Sequence, residues 1–563
     1  VSGPVVAAEP GPTGQPASPA RPRPVIAAAG RGPLTGTGTL VRLALRRDHV
    51  LLPAWITVFV VSAAGAAAAT AALYPTVESR VAAALAINGT PSLLAIYGPV
   101  FDPASLGALA LWKLGAWGAA MVAVLTMLTV VRHTRTEEEA GRLELLAAGA
   151  VGRHAVLAAA LLVGVGAAVV LGLITAVALM AVGLPVAGSL AFGLAWAAAG
   201  IAFAAVGAVT AQLARSARGA NGLSAAALGL AFAVRAVGDA AGARGPSWLS
   251  WVSPIGWSQQ VRPFAGDRWW VFAASSAAGV LLAGLAFRLA GHRDLDAGLL
   301  PDRTGPARGA PGLRSPFALA WRLQRGGLIA WASGLLLLGA LLGNVATGAG
   351  GMLDSPQAQD LIMRLGGRQA LSDAFLAAEL SLIGMLAAVY MVQATRHLYT
   401  EECTGRAESV LATGVGRIRW AAGHLSCAAL GSAVLLALAG LGAGVAYGIA
   451  VGDARQVAAL VGGALAQLPA AWVLGGLVVA LFGFAPRRVG AGWAALTAFL
   501  LIAEIGPLLR VPQWVLDLSP FTHLPRLPGG TWSVTPLLVL LAVAAGSTAL
   551  GLLGLRRRDA GAA

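Results

Sequence analysis

The chain has 563 residues, only 11% of them charged and 57% hydrophobic, with a mean hydropathy of +0.76. An ordinary soluble domain carries about 25% charge. A soluble enzyme is therefore excluded, and so is disorder beyond the first few dozen residues. The formal charge of +15 raises nucleic acid as a partner, but its distribution along the chain points to a membrane.

Residues 1–37, rich in Pro, Ala and Gly, read as a disordered cytoplasmic tail. The first apolar run, 51–73, carries no charge and is too long for the core of a signal peptide. Further runs follow at 109–131, 155–183, 187–213, 223–243 and 269–290, and then, beyond a polar linker, at 328–346, 376–394, 421–450, 457–484, 491–508 and 535–555. These are twelve predicted spans, each at or near the roughly 20 residues a crossing helix needs. They lack the alternation of barrel strands, so helices are the predicted form. With the N-terminus inside, the inner segments hold 28 Lys and Arg and the outer ones 10. That bias places both termini in the cytoplasm and accounts for the net charge. The expected organisation is a tail (1–37), a first six-span half (38–290), a cytoplasmic linker (291–314), a second six-span half (315–558) and a short cytoplasmic tail (559–563).

Two segments repeat. Residues 132–153 (RHTRTEEEAGRLELLAAGAVGR) align without a gap on 396–417 (RHLYTEECTGRAESVLATGVGR), and 12 of 22 positions are identical. LALRRDHVLLPAW (43–55) matches LAWRLQRGGLIAW (319–331) more loosely, and WLSWVSP (248–254) matches WVLDLSP (514–520) at Trp and Ser-Pro. The loop after the second span of each half is thus more alike between copies than the helices around it. Glu138–Arg142 and Glu402–Arg406 are spaced i,i+4, but such pairs contribute only about 0.2–0.5 kcal/mol, too little to explain the likeness by stability. Gly141 and Gly405 suit a backbone turn or the close approach of another surface. Glu137, Glu144, Glu401 and Glu408 add acceptors for a basic partner, and Arg153 and Arg417 mark re-entry into the membrane. The pattern reads as a docking element.

On these residues the chain resembles the ABC-2 type exporter permeases, in which such a segment forms the coupling helix. The single-chain, twelve-span form resembles the permeases of polyketide-antibiotic (tetronasin-type) exporters. The resemblance implies an all-α integral membrane protein of two fused six-helix halves, type V and G-subfamily-like. Each half would have a connecting helix (38–50 and 315–326) and a re-entrant external hairpin (244–268 and 509–534). Glu139 in the first loop faces Cys403 in the second, so the two surfaces differ. No G-x-x-x-x-G-K-[ST] loop occurs, and the only lysine, Lys113, stands between Trp112 and Leu114. The resemblance therefore implies two separate ABC ATPase subunits, a homodimer in the simplest case, holding ATP and Mg. They would dock on Glu137, Glu138, Gly141, Arg142, Glu144 and Arg153, and on Glu401, Glu402, Gly405, Arg406, Glu408 and Arg417. The chain itself would bind no cofactor or metal. It would act with the lipid bilayer and a hydrophobic small-molecule substrate, in a bacterial cytoplasmic membrane.

Polar residues within the spans are expensive and usually functional. Arg235 and Glu504 stand at corresponding places in the two halves, and either a pair between them or local snorkelling fits. Glu379 falls near the outer end of span eight. Trp117, Met121, Met385, Tyr390 and Met391 are candidates for a greasy pathway or for packing. Export of an envelope lipid fits the same features as export of a drug. An ion-coupled transporter would want midplane carboxylates, and an intramembrane enzyme clustered acids beside a soluble lobe; both have less support.

Overall fold

The computed structural model describes residues 32–143, 151–240, 246–294, 297–300, 309, 312–349, 367–505 and 511–558. Most of the tail, part of the linker, Glu144 and the end of the 491–508 run lie outside them. Every described element is helical, and eleven helices are long and apolar enough to cross a membrane.

In chain order the helices are α1 (Thr37–Arg47), α2 (Leu51–Leu73), α3 (Val77–Asn88), α4 (Pro91–Tyr97), α5 (Leu106–Val131), α6 (Ala155–Ala181), α7 (Val186–Leu213) and α8 (Ala217–Ala240). They continue as α9 (Pro254–Gln260), α10 (Val271–Gly291), α11 (Pro316–Ala349), α12 (Gly367–Thr395), α13 (His397–Cys403) and α14 (Arg406–Leu411). The chain ends with α15 (Arg417–Val451), α16 (Arg455–Leu465), α17 (Leu468–Phe484), α18 (Ala491–Ile505), α19 (Gln513–Leu516) and α20 (Val534–Arg557).

The apolar runs become helices because only a helix satisfies its own backbone within one apolar segment. The helix over 491–505 has 15 described residues, and the rest of the expected 491–508 span lies outside the described residues. Two boundaries differ from the sequence reading. The tenth span is broken at Ala466–Gln467, just before Pro469, whose missing N–H ends the ladder. The connecting helix of the second copy is continuous with its span in α11, whereas in the first copy α1 stops at Arg47. Pro53 in the first turn of α2 stands where the second copy has Ile329, so only the first copy lacks the backbone donor that continuity needs.

The described chain falls into two compact units. One comprises the segments up to 66, 117–232 and 254–302, and the other 67–116, 233–253 and 303 onwards. Within the first, α6 and α7 pack glycine to glycine. A Cβ on Gly172 would sit 2.3 Å from the Gly193 carbonyl oxygen, and one on Gly193 2.1 Å from that of Gly172. Small residues let backbones touch where lipid supplies no hydrophobic drive between helices. Within the second unit, α12 is central: Leu376, Leu380, Ile383, Tyr390 and Val392 are buried with Leu435 of α15 and Leu474 of α17.

Candidate functional site

The first copy of the repeated loop is built on the end of α5. That helix runs on through a π turn, Arg132–Thr136, into a last α turn, Glu137–Glu139. π turns recur at functional sites because they re-aim consecutive side chains. Here Arg132 and His133 both reach Asp48, the C-cap of α1, at 2.7 and 2.6 Å, and Asp48 is completely buried. Arg135, also completely buried, donates to the Ala211 carbonyl near the end of α7 through Nε (2.9 Å) and Nη2 (2.6 Å) and to that of Ala297. It thereby satisfies, at Ala211, a carbonyl that a helix end leaves open.

Glu138 is the centre of this arrangement. Arg293, just past α10, donates to its two carboxylate oxygens at 2.6 and 2.8 Å, and Arg135 lies 3.2 Å away. Arg293 also donates to Gln212 Oε1 at 2.7 Å. A bidentate arginine–carboxylate pair of this kind fixes orientation as well as energy. Arg153, at the far end of the loop, donates to the Gly291 carbonyl at 2.6 Å. Both ends of the loop are thus tied to the end of α10.

The second copy repeats the device with different residues nearby. Glu402 pairs with Arg558, just past α20, and Arg417 donates to the Arg558 carbonyl. The Arg558 guanidinium lies 4.6 Å from the Phe482 ring centroid, a favourable cation–π distance. Tyr399 replaces Arg135, so Glu402 has one arginine where Glu138 has two.

The expected i,i+4 pairs are corrected. Arg142 pairs with Glu137 at 2.8 Å and Arg406 with Glu401 at 3.0 Å, each five residues back. Gly141 (φ 68°) and Gly405 (φ 71°) are left-handed and end the helix between the partners, so helical spacing no longer applies. Glu137 also binds Arg47 at 2.7 Å. Glu138, Glu401 and the Glu402 side chain are buried, whereas Glu139, Arg142, Cys403, Arg406 and Glu408 are exposed.

Elsewhere, Arg235 is fully buried and pairs with Asp239, one turn along α8, at 3.2 Å. It also donates to the Ala95 and Ile96 carbonyls at 3.0 and 2.9 Å. Glu504 is exposed. Local capping, not a pair with Glu504, holds Arg235 in place. Met385, Tyr390 and Met391 are buried in the α12 core; Tyr390 fills the space beside Gly431 and Met391 that beside Gly475. Met121 is half-buried, and Trp117 packs edge-on against Phe232 at 5.9 Å. The arginines at 293 and 558 escaped the sequence reading. The signal was present: His-Arg-Asp (292–294) and Arg-Arg-Asp (557–559) stand at the ends of α10 and α20.

With every described element helical and eleven such spans among the described residues, the chain is a multi-pass membrane protein. Residues 313–556 match the family model described as the C-terminal domain of the multidrug efflux system permease Rv1217c. The chain is also 46% identical over 528 residues to the multidrug efflux system permease protein Rv1217c of Mycobacterium tuberculosis, covering 93% of this chain and 95% of that protein. It belongs to the family of that permease.

Proposed function

We propose that this chain is the membrane subunit of an ATP-driven exporter of hydrophobic or amphiphilic compounds, drugs among them, in the bacterial cytoplasmic membrane. The single observation that carries the reading is the doubled loop with its doubled latch: Glu138 on Arg293 and Glu402 on Arg558. Two like docking elements suit two ATPase subunits of the ABC class, which hold ATP and Mg and which this chain lacks the phosphate-binding loop to replace. The efflux function named for the relative supports the same class. In this reading the chain is of the ABC-2 type, α18 completes a twelfth span, and both termini are cytoplasmic.

The division of labour follows from exposure. Glu139, Arg142, Arg406 and Glu408 meet the ATPases. Glu138 and Glu402 face inward and transmit the movement to the helices before Arg293 and Arg558. Closure of the ATPase pair then tilts α10 and α20 and shifts the balance between inward- and outward-open states. An amphiphilic cargo suits the second unit, where a groove of about 570 Å³ is lined by Val473, Phe499, Leu540 and Val543 together with Asp517 and His523.

The test is co-purification with an ABC-class ATPase of the same organism, followed by reconstitution. The complex should hydrolyse ATP faster with the permease than without it and should export a hydrophobic dye. A permease that neither binds nor stimulates the ATPase would falsify this reading. Stimulation by lipid headgroups without dye export would move the cargo from drug to envelope lipid.

A further inference from the structure

The groove of about 570 Å³ in the second unit changes character along its length. Its apolar part is lined by Val473 of α17, Phe499 of α18, and Leu540 and Val543 of α20. Its polar part comes from the turn after α19, which supplies Asp517 and His523, and from the start of α20, where Ser533 and Thr535 stand. From Ser533 to Val543 the chain advances about 15 Å along α20 at 1.5 Å per residue, so a polar end gives way to an apolar slot. The volume falls within the roughly 300–1,000 Å³ of ligand pockets.

The polar end offers acceptors and no fixed cation. Gln513 Nε2 donates to Asp517 Oδ1 at 2.8 Å, and no ion pair to this exposed carboxylate occurs among the described residues. His523 Nε2 lies 2.9 Å from the Asp517 carbonyl, which can only accept, so Nε2 carries the ring proton and in the neutral imidazole Nδ1 is left as an acceptor. The hydroxyls of Ser533 and Thr535 have no hydrogen-bond partner among the described residues. No lysine or arginine stands among the described lining residues. A phospholipid head would bring a phosphate to a carboxylate and find no counter-charge. A quaternary onium ion would find the carboxylate but has no N–H for the acceptors around it. A primary ammonium group brings three donors and a positive charge together, and charge-assisted hydrogen bonds are the stronger kind.

We propose that this groove is a binding site for an amphiphilic primary amine that carries no anionic group: the protonated amine on Asp517, among the acceptors of His523, Ser533 and Thr535, and the apolar body along Phe499, Leu540 and Val543. The site rests on the export reading above for its role, because it specifies the class of cargo, but its binding chemistry is measured without the ATPase.

The experiment measures equilibrium binding of pyrenebutylamine, its trimethylammonium analogue and the neutral pyrenebutanol to the purified full-length permease in phosphatidylcholine nanodiscs, with empty nanodiscs as background. The unaltered protein should bind the amine saturably, and about fivefold or more tighter than the trimethylammonium probe. Asp517→Asn keeps an acceptor for Gln513; it should weaken amine binding by about tenfold or more and leave the alcohol within about twofold. Val539→Trp, at an exposed lining position, should weaken all three probes by filling the slot. Unchanged amine affinity in Asp517→Asn overturns the proposal, and so does an equal loss of amine and alcohol, which would mean that Asp517 serves the fold of the turn. Absence of saturable amine binding in the unaltered protein overturns it too, as do a trimethylammonium probe that binds as tightly as the amine and full binding in Val539→Trp. Displacement of the amine by lysophosphatidylethanolamine as readily as by dodecylamine would give the groove to a membrane lipid and likewise overturns it. Amine binding that depends on Asp517, with no ATP-dependent transport in the reconstituted complex, leaves this site standing and overturns the export reading instead.

Discussion

Glu138 and Arg293 lie 155 residues apart in the chain and meet in a bidentate pair, and Glu402 and Arg558, 156 residues apart, meet through a single contact from Nη2 to Oε2. In both copies a carboxylate of the repeated loop grips the arginine just past a later membrane helix, α10 or α20. Neither carboxylate is available to a partner protein, although both belong to the segment that the repeat singles out. The likeness of the two loops therefore has a structural source, an inward face that must fit this arginine, beside the outward face proposed above for docking.

Removing one member of a buried pair leaves the other charge uncompensated, at a cost of about 3–5 kcal/mol. Glu138→Ala strands two arginines and Glu402→Ala one. The first should lower the thermal midpoint of the purified permease more than the second. The reversed pair Glu402→Arg with Arg558→Glu should recover part of the loss, since the partners exchange roles. Melting curves of these three variants, and of Glu402→Arg and Arg558→Glu alone, at equal detergent and lipid content check this. A reversed pair as unstable as the worse single variant would show that Arg558 acts mainly through Phe482 and the Arg417 contact.

The exposed pairs should behave in the opposite way. Arg142 and Arg406 are 50% and 57% exposed, and ion pairs at such sites contribute about 0–1 kcal/mol. Arg142→Ala with Arg406→Ala should leave the melting midpoint within about 2 °C of the unaltered protein. If these faces dock the ATPases, the same double variant should lose most ATPase stimulation. Retained stimulation at equal incorporation would assign the docking surface elsewhere.

Much of the architecture is legible in the sequence, and what was not has a physical explanation. The limits of α2, α6 and α7 follow from hydropathy almost to the residue, because a helix in lipid ends where its apolar run ends. The break before Pro469 and the fusion of α11 depend on single residues, Pro469 and Ile329, that a hydropathy window averages away. The loop was found by its repeat, but its pairing was misjudged, because helical spacing was carried through Gly141 and Gly405. The partners Arg293 and Arg558 were beyond reach for another reason: contacts over 150 residues are set by tertiary packing, and only the twin Arg-Asp signatures hinted at them.

The close approach of α6 and α7 gives a prediction independent of function. A Cβ at Gly172 would meet the Gly193 carbonyl at 2.3 Å, and neither backbone can yield as a flexible side chain would. Gly172→Val should destabilise by about 1–3 kcal/mol, the usual range for overpacking. Gly166→Val, on the same helix with nothing within 4 Å of its Cβ, should be nearly silent. Limited proteolysis and melting of both variants test the contrast, and equal effects would place the sensitivity in α6 itself rather than in its contact with α7.

The last prediction concerns Arg235. Its guanidinium serves Asp239 on its own helix and the carbonyls of Ala95 and Ile96 at the end of α4. Asp239 in turn accepts a hydrogen bond from Ser250. The arginine therefore ties three segments of one unit together, and its charge is balanced one helical turn away. Arg235→Gln should destabilise by about 3–5 kcal/mol, since Asp239 would remain buried without its counter-charge. Adding Asp239→Asn to it should restore part of the stability by removing that stranded charge, while the lost donors to Ala95 and Ile96 keep recovery incomplete. Exchanging Arg235 with Glu504 should restore nothing, because Glu504 is exposed and the carbonyls would then face a carboxylate. Melting of the purified permease, with Glu504→Gln alone as the control, separates the alternatives. Rescue by the Glu504 exchange, or no recovery on adding Asp239→Asn, would mean that the charge of Arg235 is balanced outside α8.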